Sequence, residues 1–95
     1  MTAQGFPELV KRRLAARYGA RLDRVLLFGS RARGDPTPDS DWDFAVFLHD
    51  PCDEAAERRP LADLSFALLE ETGHFAELFV LPADRPPSIT VVFLI

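Results

Sequence analysis

The sequence predicts an α/β fold, a small mixed β-sheet with helices packed on it, and three observations predict it. Two stretches, "FPELVKRRLAARYG" and "PLADLSFALLEETG", repeat apolar residues at helical spacing. Three short apolar runs, "RVLLFG", "DWDFAVFLH" and "HFAELFVLP", have strand composition. Gly and Pro punctuate the junctions, giving the order helix, strand, turn, strand, helix, strand.

Each element has its own signature. In the first helix Phe6, Leu9, Val10, Leu14 and Tyr18 form the apolar side, with Pro7 in the first turn and Gly19 at the stop. "RVLLFG" reads as a short buried strand ending at Gly29, "SRAR" as one helical turn, and "GDPTPDS" as loop. "DWDFAVFLH" is apolar on both faces beyond its start, and "DPCDEAAERR" reads as a polar connection. The second helix carries Leu61, Leu64, Leu68 and Leu69 as its stripe, with Pro60 at its start and Gly73 at its end. "HFAELFVLP" is a third strand stopped by Pro82, and the tail "SITVVFLI" has strand composition.

Bulk properties narrow the class. Ninety-five residues, 47% apolar and 27% charged, make residues 1–95 a single ordinary globular domain. One cysteine, Cys52, excludes an internal disulfide and offers no zinc spacing. No signal-like segment opens the chain and its longest apolar run is too short to span a bilayer, so the expectation is a cytoplasmic protein without membrane contact. Residues 1–34 carry eight Lys/Arg against two acids, and residues 35–95 three Arg against thirteen acids. The net charge of −4 argues against bulk nucleic-acid binding, while leaving a local basic surface on the N-terminal third.

The chemistry concentrates in "LLFGSRARGDPTPDSDWDFAVFL". Side chains alternate along a strand, so Asp41 and Asp43 share a face while Trp42 and Phe44 take the other. Two carboxylates so placed repel unless a cation intervenes. Mg²⁺ takes such oxygen donors together with substrate phosphates. Glu77, a lone acid in "FAELFVL", joins the cluster if the third strand neighbours the second. Gly29 at a strand end permits close backbone approach by a ligand. The turn after it, with the Ser30 hydroxyl, offers donors to a phosphate. Neither a GxxxxGK[ST] nor a GxGxxG pattern is present.

Gly-Ser, ten intervening residues and Asp-x-Asp together resemble the signature of the DNA polymerase β-like nucleotidyltransferase superfamily in its minimal, single-domain (MNT) form. The resemblance covers roughly residues 20–82. It implies that Gly29 and Ser30 hold a nucleoside triphosphate, that Asp41 and Asp43 ligate Mg²⁺, in two sites, and that Glu77 stands for the family's third carboxylate, more often Asp. Minimal members resemble the antitoxin of HEPN–MNT toxin–antitoxin pairs, in which AMP passes from ATP to a tyrosine of the helical HEPN partner. Such a chain has no room for an acceptor-binding domain, so transfer to a free small molecule is disfavoured and a partner protein completes the site.

Each feature also has a plainer meaning. Asp-x-Asp alone is a charged strand edge, and Gly-Ser alone is a turn; the pairing at this distance gives them weight. Arg31 and Arg33 either clamp phosphates or offset the local acids. The run Lys11, Arg12, Arg13, Arg17, Arg21 and Arg24 reads first as a solvated helix face, and His49, His74 and Cys52 as structural. Trp42 and the phenylalanines read as core, and the apolar C-terminal strand as core or as an edge for oligomerisation. The rival to an enzyme is a non-catalytic module that neutralises a helical partner by covering its active site.

Overall fold

The computed structural model describes residues 5–33, 41–85 and 92–94. The loop read at 34–40, with Asp35 and Asp39, lies outside the described residues, as does most of the apolar tail. Helix α1 (Phe6–Tyr18) buries Phe6, Val10, Leu14 and Tyr18, spaced one helical turn apart. A 3₁₀ turn, Gly19–Arg21, leads into β1 (Leu22–Phe28), followed by the single turn α2 (Ser30–Arg33). Strand β2 (Trp42–Leu48), helix α3 (Glu54–Thr72), β3 (Ala76–Pro82) and β4 (Val92–Leu94) complete the order.

The sheet order is β3-β2-β1-β4. β1 is antiparallel to both β2 and β4, and β2 is parallel to β3, so the sheet is mixed as expected. Parallel β2 and β3 need a crossover, and α3 supplies it. The alternation of side chains then sorts the core into two faces. Val25, Leu27, Trp42, Phe44, Val46 and Leu48 pack with the apolar sides of α1 and α3. Leu26, Ala45 and Phe47 cluster on the opposite face with Phe28 and Leu81. There the Arg24 guanidinium lies 3.9 Å from the Phe47 ring centroid, over its face.

Three expectations need correction. Helix α3 starts at Glu54, six residues before Pro60, so most of the expected polar connection is helical. Asp53 caps it by accepting from the Ala56 N–H at 3.1 Å, and the helix runs through Pro60 despite the lost backbone donor. Its buried stripe is Glu57, Leu61, Ser65 and Leu68, with Leu64 half-buried, whereas Leu69 is exposed. Phe66 and Phe79, expected in the core, are 59% and 46% exposed. The tail strand finds its partner inside the chain: β4 pairs with β1, Leu94 opposite Leu26. Among the described residues no helix is long and apolar enough to cross a membrane.

The earlier start of α3 buries a charge. Glu57 accepts from the Tyr18 hydroxyl at 2.9 Å and from the Arg21 guanidinium at 3.4 Å, tying α3 to the end of α1. Arg21 also donates to the Pro51 carbonyl at 2.9 Å. Burial, and then the bond to Glu57, push the Tyr18 phenol above its ordinary value, so it stays a donor. Removing Glu57 leaves a buried hydroxyl and a guanidinium short of an acceptor. We predict that Glu57→Ala destabilises the fold by about 1–3 kcal/mol, read as a lower midpoint in urea, and that Tyr18→Phe costs less.

Candidate functional site

The central strand sets the site. β2 lies between β1 and β3, and one row across the sheet reads Phe28, Asp43, Glu77. Parallel pairing puts Asp43 and Glu77 directly opposite each other on neighbouring strands, roughly 4.8 Å apart in backbone terms. They lie on the face away from the helices, because Trp42 and Phe44 on either side of Asp43 belong to the helix-side core. Asp41 is exposed, immediately before β2 and one alternation along from Asp43.

Electrostatics mark Asp43 out. Burial first, then the nearby carboxylates of Glu77 and Asp41, raise its pKa above the ordinary carboxylate range. Gly29 explains how it is held. Gly29 has φ +79°, and a Cβ there would collide with Asp43 Oδ2. The glycine expected to admit a ligand to the backbone therefore seats the carboxylate of this chain's own aspartate.

Other candidates are distributed differently. The Arg31 guanidinium sits 4.4 Å from the Trp42 ring centroid, in the aromatic group that includes Phe6 and His74, on the face opposite Asp43. That position packs the guanidinium on the Trp42 ring. Ser30 and Arg33 belong to α2, and their side chains lie outside the described residues. The α2 turn starts where β1 ends, and the Ala32 N–H donates to the Gly29 carbonyl at 3.1 Å. His74 packs on Phe6 at 5.2 Å, and His49 Nε2 lies 3.4 Å from Asp23, both structural as expected. Burial pushes the Cys52 thiol up, away from the reactive thiolate range. The basic run is partly spent on structure, with Arg13 bridging Glu71 at 2.8 Å.

Among the described residues no three His, Cys, Asp or Glu side chains converge tightly enough to enclose a metal ion. The sheet register unites two carboxylates and leaves Asp41 at the mouth. Mg²⁺ fits such an open arrangement, since it is held by one or two carboxylates while phosphates and water complete its shell. Burial and then mutual repulsion raise Asp43, and a hard cation bound there relieves the repulsion.

The family model described as Polymerase beta, Nucleotidyltransferase matches residues 13–81, from within α1 through β3. Among solved structures, the chain is similar to a crystal structure of the toxin–antitoxin MntA–HpeT in a mutant form. The identity is 24% and the TM-score 0.56, over 80% of this chain and 56% of that one. It is also similar to a toxin–antitoxin crystal structure with AMP-PNP, at 25% identity and TM-score 0.56, over 79% of this chain and 56% of that one. The sequence thus spans little more than half the length of the chains it matches. No curated protein matches it.

Because folding raises the Asp43 pKa, the fold loses stability as pH rises from the ordinary carboxylate range through the raised value. Asp43→Asn, neutral throughout, therefore melts at a higher temperature than wild type at pH 7, and the gap closes in acid. Added Mg²⁺ raises the wild-type melting temperature and leaves that of the variant unchanged. Gly29→Ala forces a Cβ onto left-handed backbone and onto Asp43 Oδ2; it should cost at least about 1–2 kcal/mol in urea unfolding.

Proposed function

We propose a function from one premise: the chain belongs to the polymerase beta nucleotidyltransferase family. It moves AMP from ATP to a hydroxyl of a protein partner, a tyrosine of a helical HEPN-type toxin, and so acts as the antitoxin. The observation that carries this reading is the Asp43–Glu77 register pair seated against Gly29, with Asp41 beside it. The likeness to toxin–antitoxin structures, one of them with AMP-PNP, supports the nucleotide and the class of partner.

In this reading Asp41, Asp43 and Glu77 would hold Mg²⁺, which when bound would supply positive charge to attract the triphosphate and offset charge on the leaving group. The chain itself supplies position. The Gly29–Ser30 turn lies one residue beyond Phe28, the register partner of Asp43, and in this reading Gly29 and Ser30 bind the phosphates. The acceptor oxygen attacks the α-phosphorus, the bond to the β-phosphate oxygen breaks, and pyrophosphate leaves with that electron pair. The proton of the acceptor passes to the carboxylate row or to water. Positioning and charge neutralisation carry the rate, as in other phosphoryl transfers.

The test is intact-mass spectrometry of the protein encoded beside this chain, co-expressed with wild type or with Asp41→Asn/Asp43→Asn. An AMP-sized adduct should appear with wild type and fall by about two to three orders of magnitude with the double variant. An equal adduct with both would overturn the assignment of the aspartates. A stable complex with no adduct would make the chain a non-catalytic binding module.

A further inference from the structure

The row that ends at Glu77 also opens onto a groove that the transfer chemistry does not use. β3 is the last strand of the sheet, and among the described residues nothing pairs with its outer edge. On α3, Glu54, Arg58, Ala62 and Phe66 recur at four-residue spacing and are all exposed, a second stripe beside the buried one. Between this stripe and β3 lie two hollows. One, about 230 Å³, is lined by Ala62, Phe66, Phe75, Glu77 and Leu78 among others. The second, about 410 Å³, continues along the strand past Phe79, Val80 and Leu81. Both hollows share Arg58, Leu61 and Leu78, so they form one trough running the length of β3.

We propose that this trough seats an extended segment of the acceptor protein, laid along the outer edge of β3, and delivers its hydroxyl to the Glu77 end. The proposal rests on the transferase reading above and names how that reading's acceptor is bound. Three features select this occupant. An unpaired strand edge offers alternating N–H and C=O groups, which another extended chain satisfies in full. Phe66, 59% exposed, stands edge-on to Phe75 with ring centroids 6.0 Å apart, walling the Glu77 end with aromatic surface. Such a wall suits an apolar or aromatic side chain. Arg58 lines both hollows and has no ion-pair partner among the described residues, so an acidic residue in the segment is matched at the middle of the trough. A segment paired to this edge alternates its side chains, so those not turned into the trough fall on the face of Asp43 and Glu77.

Phe66→Glu and Ala62→Trp test it. Both positions are exposed, so neither change disturbs the core, and circular dichroism should match wild type. Each variant should bind the protein encoded beside this chain at least about tenfold more weakly, while AMP-PNP binding is unchanged. Transfer should fall with the loss of binding, and Phe66→Leu should restore both. Wild-type affinity in both variants overturns the proposal while leaving the transferase reading intact. Wild-type chain that does not bind that protein overturns it as well. A complex that both variants weaken, without any adduct from wild type, keeps the docking trough and removes the transferase reading. A dimer of the chain alone that Phe66→Glu dissolves also overturns it, assigning the trough to a second copy.

Discussion

The register of β2 against its two neighbours is the constraint on which the rest of the molecule depends. Side chains alternate with a period of two, so a slip of one residue would exchange the faces of the whole strand. Trp42, Phe44, Val46 and Leu48 would leave the helix-side core and Asp43 would enter it. The apolar content of both faces of β2 makes such a slip costly, since six of its seven residues are buried. Hydrophobic packing thereby fixes a polar geometry. The same register that buries Phe44 against Phe6 sets Asp43 opposite Glu77 and next to the Phe28–Gly29 strand end.

That arrangement is held against its own electrostatics. Asp43 is partly buried, faces two like charges, and occupies the space that any residue other than glycine would fill at position 29. Nothing in the fold's own stability calls for such a cluster. A domain of this size has few kcal/mol to spare, and retained repulsion of this sort marks functional sites more often than structural ones. The network around Glu57 is a useful contrast. There a buried carboxylate is met by the Tyr18 hydroxyl and the Arg21 guanidinium, and its role ends with holding α1, the 3₁₀ turn and α3 together.

Much of this was legible in the sequence, for identifiable reasons. The three main strands and both long helices carry strong periodicity, and Asp41, Asp43 and Glu77 stand out as acids in apolar strands. What the sequence hid depends on contacts between distant segments. Pro60 looks like a helix start, but Asp53 caps about two turns upstream, and burial of Glu57 and Leu61 on either side of Pro60 holds the helix together. Arg31 stands next to the Gly-Ser turn and invites a phosphate role, yet the Trp42 ring takes its guanidinium to the other face of the sheet. Gly29 was recognisable as a site of close approach, but only the register shows that the approaching group is Asp43. Phe66 was hidden by its type; it lies off the Leu61–Leu68 stripe, and that displacement was the available signal.

Edge strands in soluble domains are ordinarily blunted by charge, by proline or by a covering segment. β3 has Glu77 near one end and Pro82 at the other, while between them Leu78, Phe79, Val80 and Leu81 form an uninterrupted apolar run. The protection thus sits at the ends and spares the middle of the strand. The family match runs through this strand, while the solved chains that resemble it are nearly twice as long as the portion matched. A carboxylate row that ends, among the described residues, on an unpaired edge has a geometric consequence. Whatever pairs with β3 near Glu77 is held within side-chain reach of the carboxylates, and in the transfer proposed above the strand that completes the sheet would also present the acceptor.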